Sequence, residues 1–489
     1  MIGLAQLGGP IACLGLALVL VAKTRRDRIA GLGFAAFGTG VLGVAVAPRR
    51  PVELAGGTLA VLALGLGLAV LFRRLPWLLP MAALACVPAR IGVHVGASSS
   101  KLLLPLYVVI LGATILLAWD LLNGDTRVRE LRAAAWPLAA MLGWTGLSLA
   151  WSKDVSEGAV EVLAFYVPFT LLAIAIARLP WSALWLRALY LELTAMAVGF
   201  AVFGIYQYET RDIFQNPKVI TANAYAKYFR VNSVFWDPSV YGRFLVLAMA
   251  PSIVLIVVGR PVRQALAVAA TLCILWFGLL ISFSQSSFAA LLVVVIGAAF
   301  LAWRWRALVA VVLAVAVLAG MSVAQPEIRR SIQHHTTSGL NSATSGRFNL
   351  VANGIRIAAN HPVQGVGVGG FKRAYAERVK LKGKEPKKAA SHNTPVTVAA
   401  ETGLVGLALF AWLTAVLLLQ AFRAPRSLQR VIAGLALAAI LCHSFFYNAF
   451  FEDPMMWGLV GLLALGSRVP VRRPEPDAPA VERKEAVPV

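Results

Sequence analysis

The chain has 489 residues, of which 59% are hydrophobic and only 14% charged. A soluble domain carries about 25% charged residues, so an ordinary water-soluble protein is excluded. Lys and Arg number 45 against 22 Asp and Glu, a formal net charge of +23 that would suit a nucleic-acid binder if it were gathered on one face.

A helix needs about 20 apolar residues to cross the hydrocarbon core of a bilayer, with every backbone group satisfied inside the segment. In chain order, such segments fall near 2–22, 29–47, 54–72, 76–94, 102–122, 134–150, 160–177, 184–205, 240–259, 265–281, 287–303, 307–324, 396–421, 429–447 and 455–467. The expected fold is all-α: a polytopic membrane bundle of 12 to 15 helices with a long periplasmic loop containing short helices. The first segment has no basic region ahead of it and runs into Lys23–Arg28, so it reads as a retained helix rather than a cleaved signal. Cys13, Cys86, Cys273 and Cys442 all lie in apolar stretches without CxxC spacing, which argues against disulfide staples and a zinc site.

Positive charge in short loops marks the cytoplasmic side. One alternating set of connections holds Lys23, Arg25, Arg26, Arg28, Arg73, Arg74, Arg127, Arg129, Arg132, Arg178, Arg260, Arg263, Arg304, Arg306, Arg423, Arg426 and Arg430. The short loops of the other set hold only Arg49, Arg50, Arg90, Lys101 and Lys153. The chain therefore divides into N-terminal transmembrane helices (1–205), a first long periplasmic loop (206–239), central helices (240–324), a large periplasmic loop (325–395), C-terminal helices (396–467) and a Pro-rich cytoplasmic tail (468–489) whose composition reads as disordered. The large loop carries twelve basic residues against three acidic ones. Long loops escape the positive-inside bias, so this surplus needs its own account: either a solvated Lys-rich stretch such as Lys380–Lys388, or an anionic ligand outside the membrane.

Within that loop, SGR at 345–347 leads into FNLVANGIRIAAN, with Phe348, Leu350, Val351, Ile355 and Ala358 at helical spacing and His361-Pro362 as the stop. This predicts a short amphipathic helix lying on the membrane surface or against the bundle. HPVQGVGVGGF follows and formally contains GxGxxG, but no strand and no βαβ unit frame it. Gly365, Gly367, Gly369 and Gly370 instead predict a tight exterior turn. SHNTP at 391–395 then opens an apolar helix bearing Glu401, Gly403 and Gly406. His392 is a candidate general base, since imidazole titrates near neutral pH, with an interfacial capping histidine as the plainer alternative. Glu401 is costly inside a membrane helix and such groups are usually paired; the plainer reading is an ion pair that positions the loop, for instance with an arginine. Metal chemistry is poorly supported: His334 and His335 are adjacent, there is no HExxH, and Glu452-Asp453 before Pro454 reads as a structural turn. No GxSxG and no phosphate loop ending in GK[ST] occurs.

The ordered series FWDPSVYGRFLVL (235–247), SFSQSS (282–287), SGR, HPVQGVGVGGF, SHN and ETGLVG resembles the bacterial O-antigen ligase and polymerase family, the Wzy-type membrane glycosyltransferases. The resemblance runs from about Phe235 to Gly406. It implies an enzyme of the bacterial inner membrane that moves a glycan from an undecaprenyl-pyrophosphate carrier to an acceptor hydroxyl on a glycan or lipid at the periplasmic face. Inversion at the anomeric centre and the absence of metal or cofactor go with it. By position, Arg347 would clamp pyrophosphate and His392 would be the base, with Asn393, Glu401, His361, Gly365 and Gly367 in support. Where the family often has arginine in an SxSR turn, this chain has Gln285, which can donate a hydrogen bond but no charge. Arg243 is the expected substitute, with Arg211, Lys227 and Arg230 behind it. A forked guanidinium suits phosphate oxygens and the charge that grows on a leaving pyrophosphate.

A polytopic transporter or flippase competes with this reading, as does an inactive scaffold of a polysaccharide-export system. A transporter should place ionisable groups near the bilayer midplane and show two similar halves, whereas here the charges cluster in exterior loops and no internal repeat is seen. A partner that controls chain length would also fit a polymerase. No nucleic-acid partner is expected.

Overall fold

The computed structural model describes residues 1–46, 51–95, 98–213, 216–225, 228–259, 261–306, 309–310, 313, 347–379, 391–423 and 427–465. In chain order its elements are α1 (Ile2–Val21), α2 (Arg25–Val46), α3 (Pro51–Arg74), α4 (Leu78–Ala85), β1 (Ile91–Val95), β2 (Ser98–Leu102), α5 (Leu104–Leu122), α6 (Ala135–Ser148), α7 (Val155–Glu161), α8 (Val167–Arg178), α9 (Ala183–Thr210) and α10 (Pro217–Tyr225). They continue with α11 (Pro238–Val258), α12 (Val262–Ser282), α13 (Gln285–Trp303), α14 (Arg347–Asn360), α15 (Phe371–Arg378), α16 (Thr394–Phe422), α17 (Leu428–Ser444) and α18 (Pro454–Leu463). Among the described residues, 11 helical stretches are long and apolar enough to cross a membrane, and α17 and α18 are shorter apolar helices. The protein is a polytopic helical membrane protein.

Two expected spans need comment. The segment 76–94 is not one helix: α4 stops at Ala85, and the chain then forms a hairpin in which Ile91 pairs with Leu102 and Val95 with Ser98. Pro88 and Arg90 interrupt the apolar run there, and the alternating IGVHV and SSSKL sequences suit paired strands. Arg73 stacks on Trp119, 5.3 Å from its ring centre, and Gly65 and Gly112 face Leu111 and Leu68, so α3 and α5 run parallel. Residues 75–103 therefore return the chain to the other end of the bundle without a full-length helix. The span expected at 307–324 falls almost wholly outside the described residues, as do His334, His335, Lys380–Lys388, Lys227 and the tail 468–489.

Small residues set the N-terminal packing. A side chain at Gly15 would meet the backbone of Ala35 at 2.4 Å, so α1 and α2 touch backbone to backbone, the arrangement by which membrane helices gain dispersion contacts. Helix α1 also packs on α6, which brings the N-terminal pair into the main core.

One end of the bundle gathers the arginines of the basic loops. Arg28 is wholly buried and pairs with Glu130 at 2.7 Å, and Arg178 pairs with the same carboxylate at 2.6 Å and with Asp125. Arg25 donates to the carbonyls of Leu121 and Leu122, the orphan acceptors at the end of α5. Much of the charge at this end is thus spent on internal partners. Burial works against ionisation of Asp125, yet the hydrogen bonds from Arg127 and the charge of Arg178 hold its carboxyl well below the usual range. A carboxyl depressed on folding stabilises the protein above its unfolded pKa of about 3.9 and loses that contribution as pH falls towards the folded value. The melting temperature of the detergent-solubilised protein is expected to drop steeply below about pH 4, and Asp125→Asn to flatten that drop. Identical acid profiles for the two proteins would refute this account.

Candidate active site at the loop end of the bundle

At the opposite end, the serine turn, the glycine loop, the HN pair and the segment between α17 and α18 converge. The glycine loop meets α16 where that helix is broken. Gly403 has φ 71° and ψ −171°, a conformation open essentially to glycine alone, and it interrupts the helical ladder. The carbonyls left without helical partners are taken by outside donors: Val366 N to Ala400 O at 2.9 Å, Gly367 N to Glu401 O at 2.7 Å and Trp144 Nε1 to Thr402 O at 2.8 Å. In return, Leu404 N donates to Pro362 O at 2.7 Å. This exchange satisfies backbone groups that could not be left bare in a bilayer. Gly367 (φ 83°) lies so close to the end of α6 and the turn after it that a Cβ would sit 2.7 Å from Ser148 O and 2.2 Å from Ser152 Cα.

Glu401 departs from expectation. Its carboxylate is buried and accepts the backbone N–H groups of Phe371, at 3.3 Å, and of Gly369, rather than pairing with an arginine. These donors are the N–H groups that the N-terminus of α15 leaves without helical partners. Helix α14 also differs in its buried stripe: Leu350, Gly354 and Ile357 face inward against α16, while Phe348 and Ile355 are exposed. His361 follows the end of α14 and accepts the N–H of Gly365 at 3.0 Å through its carbonyl.

His392 is held in the left-handed region, at φ 60°. Its neighbour Asn393 caps α16, accepting Val396 N at 3.0 Å, and donates through Nδ2 to Phe445 O at 3.0 Å. Those two bonds tie the HN pair to the chain leaving α17. The ring of His392 consequently faces Tyr447 edge-on, with centroids 6.3 Å apart. Tyr447 also lies 5.6 Å from the His443 ring, and the Arg243 guanidinium carbon is 6.0 Å from its centre. Burial, with the charge of Asp237 nearby, pushes the Tyr447 phenol well up, so it keeps its proton at neutral pH.

Arg243, the expected substitute clamp at the exterior start of α11, has a carboxylate partner inside the protein. The side chain is buried and its Nε lies 2.8 Å from Asp453 Oδ2. Asp453 is at once the N-cap of α18, accepting Met455 N at 2.9 Å. With its charge committed to a buried carboxylate, Arg243 is a fixed post: one Nη stands 3.5 Å from Nδ1 of His443, whose Nε2 lies 3.0 Å from Ser286 Oγ. Ser284 reaches Ser286 at 3.2 Å and Ser287 at 2.7 Å, so the serine turn is wired to α11 and α17.

Gln285 is exposed at the first position of α13. Beside this turn sits Arg230, whose Nε donates to Ser282 O at 3.2 Å and whose backbone is gripped by Asn223. Arg211 is exposed, stacked 4.3 Å over Tyr208 and 5.1 Å over Phe229, and reaches the cluster only through that second ring. Arg347 is exposed at the start of α14, and its charge acts on His443 together with that of Arg243. The structure thus brings His392, Asn393, Arg347, Arg243, Arg230 and Gln285 to one end of the bundle. His443 and Tyr447 join them without having been singled out from sequence, and Asp453, read there as part of a structural turn, joins them as the partner of Arg243.

No curated protein matches the chain. Residues 269–411 match the family described as O-antigen ligase, a stretch that takes in the serine turn, α14, the glycine loop, the HN pair and Glu401. Over those residues the chain is similar to the O-antigen ligase family.

Proposed function

We propose that the protein is a membrane glycosyltransferase that moves a glycan from a polyprenyl-pyrophosphate carrier, undecaprenyl pyrophosphate, to an acceptor hydroxyl on the periplasmic side of the bacterial inner membrane. The observation that carries this reading is the seating of His392 against Tyr447, whose ring also lies beside His443 and the Arg243 guanidinium, at the end of the bundle that holds Arg347 and Arg230. A base and a cationic cluster are what glycosyl transfer from a pyrophosphate requires.

In this reading His392 accepts the proton of the acceptor hydroxyl as its oxygen bonds to the anomeric carbon. The bond from that carbon to the pyrophosphate oxygen breaks, its electron pair leaves with the phosphate, and configuration inverts. Arg347 and Arg230 neutralise the charge that develops there, with Arg230 supplying beside the serine turn the cation that Gln285 lacks. The Tyr447 hydroxyl donates a hydrogen bond to the pyrophosphate or the sugar. Arg243 orients His443 and the turn instead of meeting phosphate. No step needs a metal or cofactor.

His392→Ala and Arg347→Ala are each expected to abolish surface polysaccharide while leaving the protein's membrane level unchanged, because loss of a general base costs about 10²–10⁴ in rate and loss of a charge-stabilising donor about 10²–10³. Gel analysis of surface glycans in a complemented deletion strain checks this. Normal polysaccharide in both variants would sink the assignment. In the deletion strain itself, loss of chain length would identify a polymerase, and accumulation of full-length carrier-linked chains a ligase.

A further inference from the structure

A cavity of about 490 Å³ opens between α14, α15 and the turn after α6. Its polar wall is made by Lys153, Asn353, Arg356, Asn360, His361 and Arg378. Asn353, Arg356 and Asn360 recur at helical spacing, so one face of α14 carries all three while the adjoining stripe of Leu350, Gly354 and Ile357 is buried. Its floor is apolar, formed by Ile357, Val366 and Ala374.

The charge in the cavity is unbalanced. Glu377 is its one acidic lining residue, and Lys153 and Arg373 already pair with it. Among the described residues neither Arg356 nor Arg378 has an acidic partner, and both are exposed. The Nε of Arg378 donates to Asn353 Oδ1 at 3.1 Å, which leaves the donors of its two Nη groups for a ligand. Two guanidinium groups, the amides of Asn353 and Asn360 and a small apolar floor suit a sugar ring bearing a carboxylate, which has polar edges, an apolar face and a planar anion. A lipid chain would find too little apolar surface here. Arg347 and Arg356 lie nine residues apart on α14, about 14 Å along the axis.

We propose that this cavity is a binding subsite for an acidic saccharide, holding a carboxylate-bearing sugar of the substrate glycan a short oligosaccharide's length from the reacting centre. The proposal rests on the glycosyl-transfer reading for the identity of its ligand, but its test does not depend on turnover. The full-length protein in nanodiscs is titrated calorimetrically with an oligogalacturonate, with a neutral maltooligosaccharide of equal length and with inorganic phosphate. Binding of the acidic oligomer is expected to exceed that of the neutral one, and to weaken at least about tenfold in the Arg356→Ala/Arg378→Ala double variant and severalfold in Arg356→Gln alone, as loss of charge-assisted hydrogen bonds implies. Equal binding of the two oligomers, unchanged affinity in both variants, or full displacement by phosphate at matched concentration would overturn it. His392→Ala should bind as the parent does. Normal surface polysaccharide in that variant would therefore refute the catalytic reading while leaving the subsite standing, and failed binding beside lost polysaccharide would do the reverse.

Discussion

Gly403→Ala is expected to yield little folded protein. An alanine at φ 71° and ψ −171° is strained by about 1–3 kcal/mol. Its Cβ would sit 2.1 Å from the carbonyl oxygen of Val363, so the glycine loop must also retreat. Retreat lengthens the bonds from Val366, Gly367 and Leu404, and each buried group left unsatisfied costs about 1–3 kcal/mol. The sum of several kcal/mol is a large part of the ~5–15 kcal/mol that keeps a typical protein folded. Yield of monodisperse detergent-solubilised protein and its melting temperature measure the effect. Gly199→Ala is the control: that glycine lies in α9 with open space around its Cα, and alanine there should be neutral or gain up to about 1 kcal/mol from helix propensity. A Gly403→Ala protein that melts within a few degrees of the control would show that the break in α16 is not what holds the loop.

The second large effect is expected at Asp453. Removing this carboxylate as Asp453→Ala leaves the Arg243 guanidinium buried without its counter-charge, a loss of about 3–5 kcal/mol in comparable buried pairs. Asp453→Asn keeps an oxygen for the N–H of Met455 and so isolates the charge from the cap, which alone accounts for about 1 kcal/mol. Replacing both partners by apolar residues, Arg243→Met with Asp453→Leu, should recover most of the stability, because no uncompensated charge remains. Thermal melts of the three variants test this order. If the double variant is as unstable as Asp453→Ala, the pair is not the source of the effect. Surface polysaccharide should stay low in the stable double variant, since His443 and the serine turn would have lost their post.

These two predictions mark where sequence could and could not lead. Hydrophobic length announced the membrane helices because that constraint acts locally, residue by residue along the chain. The stretch 76–94 misled for the same reason: its composition satisfies a hydropathy window, and only the prolines and the strand-like alternation after Arg90 betray a short helix and a hairpin. At the site, His392, Asn393 and Arg347 were legible because each sits in a short motif. His443, Tyr447 and Asp453 lie about fifty residues or more beyond the HN pair, and nothing in local spacing says that α17 and α18 bring them back to it. A faint signal was present: a histidine closing an apolar helix and an aspartate ahead of proline are both unusual residues for their place. The arginine foreseen for Glu401 was a reasonable partner type, but a helix N-terminus answered instead.

The reciprocal bonds between residues 362–367 and 400–404 bear on how this protein can be rebuilt. Loop exchange between membrane enzymes treats the loop as the module and the helices as a fixed frame. Here that boundary runs through a set of shared hydrogen bonds, since α16 gives up its own ladder to hold the incoming segment. A chimera cut at residue 394 would sever the loop from the broken helix that receives it. The transferable unit is the loop together with the first ten or so residues of α16, and the seam belongs beyond Gly403, where the helix closes on itself again.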